Sequence, residues 1–393
     1  MRESYKSVLE NSTGLPGTFY TSEQIFKDEF VCLMSRSWAC AGVTGDVSQT
    51  GDVWPTTFAD QPLVMTRADD GNIRTFHNIC RHRGTLLSDK LKRKQTRITC
   101  PYHAWSYALD GSLVATPHAG GAGRHSCESP DTGNLNLVEV PTAVWGPFVM
   151  INLSGDASRL EDFIGPIEER PGFPDFSLLR TGPDYERTFD LDTNWKLAVE
   201  NFVESYHVPT VHPQLQRVNP MAEHYQILGG DNYIGLGGRA DGVAETLEPP
   251  LPVFPGCVDT GKYEAFYIFP NLMITCLPNL FKVIIINPLG PGRTRERLVV
   301  FFFGDEAMHS GLSETRATAM KDWAVEVNNQ DIGIIEKMQT GRASTAFDGG
   351  HFMPKQEQTS LHFQKMLAKR MLEALEPSYT PPGDLPVANI YHD

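Results

Sequence analysis

The chain has no long apolar run. Its best candidate, Leu298 to Phe303, has the length of a strand, far short of the ~20 residues that a membrane-crossing helix needs. The opening residues, Met1-Arg-Glu-Ser-Tyr-Lys, lack the apolar centre of a signal peptide, so a cytoplasmic location and no membrane partner are expected. Positive charge is scarce. Forty-eight acidic residues against 34 basic ones leave a net charge of −14, which repels phosphate backbones and argues against nucleic acid as a partner. No G-x-G-x-x-G run is present, so a bound nicotinamide dinucleotide is not expected here. Cysteines are few and their number, seven, is odd. With cytosolic thiols kept reduced, that argues against a disulfide framework.

What is present is an ordinary globular balance over 393 residues, 40% apolar and 21% charged, a length that suits two or three domains. Residues 22 to 36 carry apolar residues at helical spacing after a Ser/Thr start. From about 40 to 155 the texture becomes short strands and turns. Pro62 to Arg67 and Ile73 to Phe76 flank Asp69-Asp-Gly-Asn, and Ala104 to Leu109 and Ser112 to Ala115 flank Asp110-Gly111; both read as hairpins. Beyond 156, a helix is expected from Asn194 to Pro209, capped by Asp192 or Thr193. Strands follow from Tyr263 to Phe303, turning at Pro288 to Gly292. Helices are expected from Glu314 to Thr340, closed by Gly341, and from Gln356 to Glu376, with an extended arm over Pro377 to Asp393. The fold class is α+β: a first segment at 1–38, a small all-β domain at 39–155, and a larger domain at 156–393 with an antiparallel sheet and long helices.

Five cysteines, Cys32, Cys40, Cys127, Cys257 and Cys276, stand alone and read as inert thiols. The other two have histidines close behind: Cys80-Arg-His82 and, after seventeen intervening residues, Cys100-Pro-Tyr-His103. Such a pair should arise by accident in about one of a thousand chains of this composition. Zinc would be satisfied by two cysteines and two histidines, but zinc modules usually draw like ligands from each knuckle. One thiolate and one imidazole per knuckle suit two inequivalent irons, one held by both cysteines and the other by both histidines, as in a Rieske [2Fe–2S] cluster. The two segments Cys80-Arg-His82-Arg-Gly-Thr-Leu-Leu and Cys100-Pro-Tyr-His103-Ala-Trp-Ser-Tyr resemble the signature loops of the Rieske non-heme iron oxygenases, with Ala104 where that family usually has glycine. Trp105 and Tyr107 are candidates to pack beside the cluster.

A second constellation decides between an oxygenase and a bare electron carrier. Glu204, His207 and His212 fall within nine residues, and helical geometry sets Glu204 and His207 in one sector, with Pro209 as a break that lets His212 return to the same point. Two histidines and one carboxylate make the facial site of an oxygen-activating Fe(II). On the late helix, Met320, Ala324, Val327, Ile334 and Met338 form an apolar stripe, and Asp331 fills the gap in it. A carboxylate there is costly unless paired or bound to metal, so Asp331 is the expected third ligand. The segment Gln330-Asp331-Ile-Gly-Ile-Ile-Glu-Lys-Met resembles the family segment that supplies it.

The resemblance implies more. The larger domain should be of helix-grip type. The chain should form a head-to-tail homotrimer in which Glu204 bridges His103 of a neighbour to His207. A separate NADH-dependent flavin/iron–sulfur reductase should supply electrons, with O2 and a small molecule as substrates. Glutamate at position 204, where aspartate is usual, resembles the branch acting on quaternary ammonium compounds such as carnitine and betaines. Two other functions stay open: an aromatic-ring hydroxylase or dioxygenase acting on an aromatic acid, and a Rieske electron carrier. Phe202 and Tyr206 are the expected pocket walls, whereas Tyr263, Phe266, Tyr267, Phe269 and Phe281 read as core before they read as a cation cage. Lys90, Lys92, Arg93, Lys94 and Arg97 form a basic run that is either a solvated loop or a docking patch.

Overall fold

Short β-branched and aromatic runs, punctuated by Asp-Gly and Gly turns, build a unit of small sheets between Trp38 and Ala157. A computed structural model describes residues 1–125, 134–170, 172–241 and 247–375. Cys127, Glu376 and the 377–393 segment lie outside the described residues. Both expected hairpins form. Gln61–Arg67 pairs with Ile73–His77, and Ser106–Tyr107 with Leu113–Ala115. The Asp110-Gly111 turn needs its glycine twice over. Gly111 has φ +87°, and a Cβ there would lie 2.4 Å from the Phe76 ring.

Met1–Ser37 and Ser158–Asp393 together form the other unit. Its frame is an eight-stranded sheet whose pairs are all antiparallel. The strands Lys262–Ile268 and Leu272–Cys276 are almost wholly buried, and Tyr233–Arg239, Phe281–Gly290 and Arg293–Phe303 are buried over most of their length, which accounts for their apolar runs. Two helices of 17 residues each, Glu326–Arg342 and Gln358–Ala374, belong to the same unit. The α+β class is therefore observed.

Several expected boundaries move, for local reasons. The turn after Phe281–Gly290 is Pro291-Gly292 alone, because Pro288 still pairs with Thr294 beside a register irregularity. The helix expected to reach Pro209 stops at Phe202. Asn194, not Asp192 or Thr193, caps it by accepting from Lys196 N at 3.0 Å. Asp192 N and Thr193 Oγ1 instead bond to Glu336 Oε1 and Ile335 O. Pro209 is no breaker; it sits in the first turn of the next helix, Val208–Val211, where a missing N–H costs nothing. The late helix is also not uniform. Ser313–Thr318 is followed by a π-helical stretch, Ala319–Val325, before Glu326–Arg342 resumes α geometry. Gly341 lies inside that helix, and Ala343 caps it.

The helix Trp195–Phe202 is fixed by a buried ion pair. Lys196 Nζ lies 2.7 and 2.8 Å from the two oxygens of Glu29, and Trp195 Nε1 donates to the same carboxylate at 3.2 Å. Both charged side chains are buried to within 1%. Removing one partner leaves the other charge without compensation, so Lys196→Met is expected to destabilise the protein by ~3–5 kcal/mol, read by denaturant melting. The double variant Lys196→Met/Glu29→Leu should recover most of the loss.

Candidate metal centres and active-site cavity

The two Cys/His knuckles fold as two copies of one loop. Cys80 N donates to Thr85 O and Gly84 N to Cys80 O, at 2.8 and 2.9 Å. Cys100 N donates to Trp105 O and Ala104 N to Cys100 O, at 2.8 and 3.1 Å. In each loop the fourth residue after the cysteine is left-handed, Gly84 at φ +72° and Ala104 at φ +56°. Ala104 therefore carries strain that Gly84 does not. The loops bury both cysteines, each 3% exposed, in the core cluster of Val53, Phe76 and Tyr107, while His82 is exposed and His103 half-buried. The imidazole centroids are 4.8 Å apart. This donor set, with thiols inward and imidazoles outward, fits a dinuclear iron–sulfur cluster with two inequivalent irons.

Both aromatic neighbours expected there are present. Trp105 stacks on His82 with centroids 4.7 Å apart. Tyr107 Oη lies 3.4 Å from Cys80 Sγ and accepts from Arg81 N at 3.0 Å. Within the basic run, Arg93 is paired with buried Asp52 and donates to Asp46 O, so this member is structural. Lys90, Lys94 and Arg97 are exposed.

In the other unit the structure brings His207, His212 and Asp331 together, each offering a ligand atom within 4.8 Å of the others. Helical spacing is not the means. Glu204 and His207 lie in the break after Phe202, where Glu204 Oε2 accepts from the backbone N–H groups of Tyr206 and His207 and replaces lost helix bonds. His212 stands at the junction of Val208–Val211 and Pro213–Val218. Asp331 lies on Glu326–Arg342. The buried stripe reaches it through Met320, Ala324 and Val327 and continues at Ile335; Ile334 and Met338 are only half-buried.

Both imidazoles present Nε2 to Asp331 Oδ1, His207 at 3.3 Å and His212 at 2.8 Å. Both have Nδ1 held from behind, His207 by Glu204 Oε1 at 2.5 Å and His212 by Gln330 Oε1 at 2.7 Å. Such outer partners fix ring orientation and leave Nε2 for a metal. Burial opposes a charge on His207, but hydrogen bonds to Asp331 and Glu204 outweigh it and hold its pKa at about 10. For Asp331 burial acts upward, and the two histidine hydrogen bonds outweigh it, keeping the carboxyl well below its usual range. Two imidazoles and one carboxylate on one side fit a ferrous ion with open positions. Gln330 was not singled out in the sequence: it is next to Asp331, and nothing in the helical period marks it.

A cavity of about 140 Å³ adjoins this cluster, and its lining includes His207, His212 and Asp331. Phe202, Tyr263 and Trp323 supply its aromatic faces, packed with Leu236, Ala265 and Leu277. Phe202 thus lines it. Tyr206 does not: it is 50% exposed and absent from the described lining, because the backbone break turns the chain over at that point. Of the five strand aromatics only Tyr263 reaches this cavity, whereas Phe266, Tyr267, Phe269 and Phe281 are core. The sequence reading also missed Lys282 and His224, which line the cavity, and Glu296, whose Oε2 accepts from Asn328 Nδ2 at 2.9 Å. Burial pushes Glu296 up to about 7 and His224 down to about 4.

Residues 178–373 match the family described as the ring hydroxylating alpha subunit (catalytic domain), and residues 37–131 the Rieske [2Fe-2S] domain. The chain is 26% identical over 364 residues to the carnitine monooxygenase oxygenase subunit of Acinetobacter pittii, covering 90% of this chain and 94% of that one. It is 30% identical over 226 residues to the glycine betaine monooxygenase oxygenase subunit of Chromohalobacter salexigens, covering 57% and 48%. It is 25% identical to the chloroplastic choline monooxygenase of Amaranthus tricolor, covering 91% and 78%. Among solved structures, a quaternary ammonium Rieske monooxygenase superposes with a TM-score of 0.79 at 24% identity, over 93% of this chain and 98% of that one. Naphthalene 1,2-dioxygenase superposes with a TM-score of 0.73 at 18% identity, over 92% of each chain.

Two outcomes are expected. Ala104→Gly relieves a left-handed alanine and should stabilise the protein by about 0.5–1 kcal/mol in thermal melts. A divalent ion binding His207 must displace the proton that a pKa of about 10 keeps on its ring. Binding at pH 7.5 should therefore release about one proton per ion and weaken as pH falls, as titration calorimetry in two buffers of different protonation enthalpy can measure.

Proposed function

Because this chain belongs to the Rieske-type ring-hydroxylating oxygenases, as an alpha (oxygenase) subunit, we propose that it hydroxylates a small quaternary ammonium compound with O2. Collapse of the hydroxylated product then cleaves a C–N bond. The observation that carries this reading is the cluster of His207, His212 and Asp331 lining a cavity with three aromatic faces. Aromatic faces suit an N-methylated cation, and similar chains are named for carnitine, glycine betaine and choline.

The family's cofactors are a Rieske [2Fe–2S] cluster and a mononuclear iron; bound, they supply single electrons and a site for O2 activation. Cys80 and Cys100 would hold one cluster iron and His82 and His103 the other. His207, His212 and Asp331 would hold the mononuclear iron. Glu204 and Gln330 orient the two imidazoles through Nδ1. In a head-to-tail homotrimer Glu204 would also meet His103 of a neighbouring subunit, giving a short hydrogen-bonded route between the centres. Phe202, Tyr263 and Trp323 exclude water and pack against the substrate's methyl groups.

Each turnover consumes O2, two electrons and two protons; one oxygen atom enters a C–H bond and the other leaves as water. A separate NADH-dependent flavin/iron–sulfur reductase would supply the electrons, in the cytoplasm. Among the described residues no helix is long and apolar enough to cross a membrane.

Anaerobically loaded protein should contain about three irons per chain. Asp331→Ala should lose about one of them and all turnover while the Rieske absorption persists. With a generic reductase, carnitine, glycine betaine or choline should give an aldehyde and an amine. A cis-diol from an aromatic acid, with no N-methyl turnover, would instead establish the ring-hydroxylase reading.

A further inference from the structure

Across the central sheet, one row of directly paired residues runs Leu236, Ala265, Thr275, Lys282 on four successive strands. All four line the cavity beside the histidine–aspartate cluster. Three are small or apolar, as a pocket floor requires; the fourth is a lysine, and it is the only lysine or arginine in the described lining.

Nothing in the described protein pairs with it. Among the described residues no hydrogen bond or ion pair closes on the Lys282 ammonium, although the charges of Asp331 and Glu296 act on it. Asp331 is engaged by His207 and His212, and Glu296 by Asn328. Burial pushes the Lys282 pKa down. A cation set in an apolar wall without a bonded partner is costly, and such groups are kept where a ligand supplies the partner. Apart from His207 and His212, which face Asp331, the described lining offers no second cationic side chain, since burial leaves His224 neutral, its Nε2 lying 2.6 Å from Asn219 Oδ1.

We infer that Lys282 is the substrate anchor for a carboxylate, and that this enzyme therefore selects acids over the corresponding alcohols. The inference rests on the proposed oxygenase reading and narrows it. A betaine-type substrate would set its carboxylate on Lys282 and its methylated nitrogen among Phe202, Tyr263 and Trp323, with the C–H to be attacked near the histidine–aspartate cluster. Choline, which carries a hydroxymethyl group where glycine betaine carries a carboxylate, would leave the lysine unpaired. A site built around a charged partner discriminates strongly against a ligand lacking it.

The test uses the reduced holoenzyme under anaerobic conditions, with titration calorimetry of three acids (glycine betaine, carnitine and benzoate) and two alcohols (choline and benzyl alcohol). The wild-type protein is expected to bind at least one acid about tenfold or more tightly than its alcohol. Lys282→Met should erase that preference while leaving alcohol binding within about threefold, and Lys282→Arg should keep it. A lysine that only balanced Asp331 and Glu296 would weaken acids and alcohols alike. Equal wild-type binding of acids and alcohols overturns the inference without any variant, and so does acid binding unchanged in Lys282→Met. Turnover of glycine betaine that ignores Lys282 removes the anchor and leaves the quaternary ammonium reading intact. Lys282-dependent binding of benzoate with no binding of either betaine keeps the anchor and removes that reading.

Discussion

An aspartate on the inward face of a helix must be paired, and the organisation of the catalytic unit around Asp331 follows from how that is done. Two imidazoles reach its carboxylate from a part of the chain more than a hundred residues earlier. No single helix could present both, so the helix starting at Trp195 ends at Phe202 and two short helices re-aim the backbone. Glu204 and Gln330 then hold the far ring nitrogens. The break, the short helices and the outer hydrogen bonds are one solution to the burial of one charge.

The cluster unit solves a related problem with backbone alone. Two loops of identical hydrogen-bond pattern bury their thiols and leave their imidazoles toward solvent. That polarity gives the site an insulated end and an accessible end. Electrons would enter and leave on the imidazole side, where Tyr102 and Arg83 also lie against each other, while Tyr107 remains at the thiol side.

Residue type and spacing make the metal chemistry legible in the sequence. The Cys-x-His and Cys-x-x-His steps, and a carboxylate interrupting an apolar stripe, are local statements, and local statements survive folding. The same reasoning misjudged how Glu204 and His207 come together, because a side chain that competes for backbone N–H groups ends a helix in a way that periodicity cannot register. It misjudged Ile334 as well: beyond Asp331 the buried position falls four residues on, at Ile335, and not three. Tyr206 was misplaced along with the helix it was assumed to ride on. Lys282 and Gln330 were invisible for a different reason. Their meaning lies in neighbours up to three strands or more than a hundred residues away, and a single lysine in a strand carries no mark of what it faces.

The row Leu236, Ala265, Thr275, Lys282 belongs to the sheet, whereas the three groups suited to holding iron come from the helices and the turns between them. Adjacent strands in fixed register hold such a row by backbone bonds alone, so a side chain in it can change without moving a neighbour. Selectivity and reactivity are thus written on separate scaffolds. Descendants of this chain could exchange one kind of substrate for another through the sheet, one position at a time, while the oxygen chemistry stayed untouched.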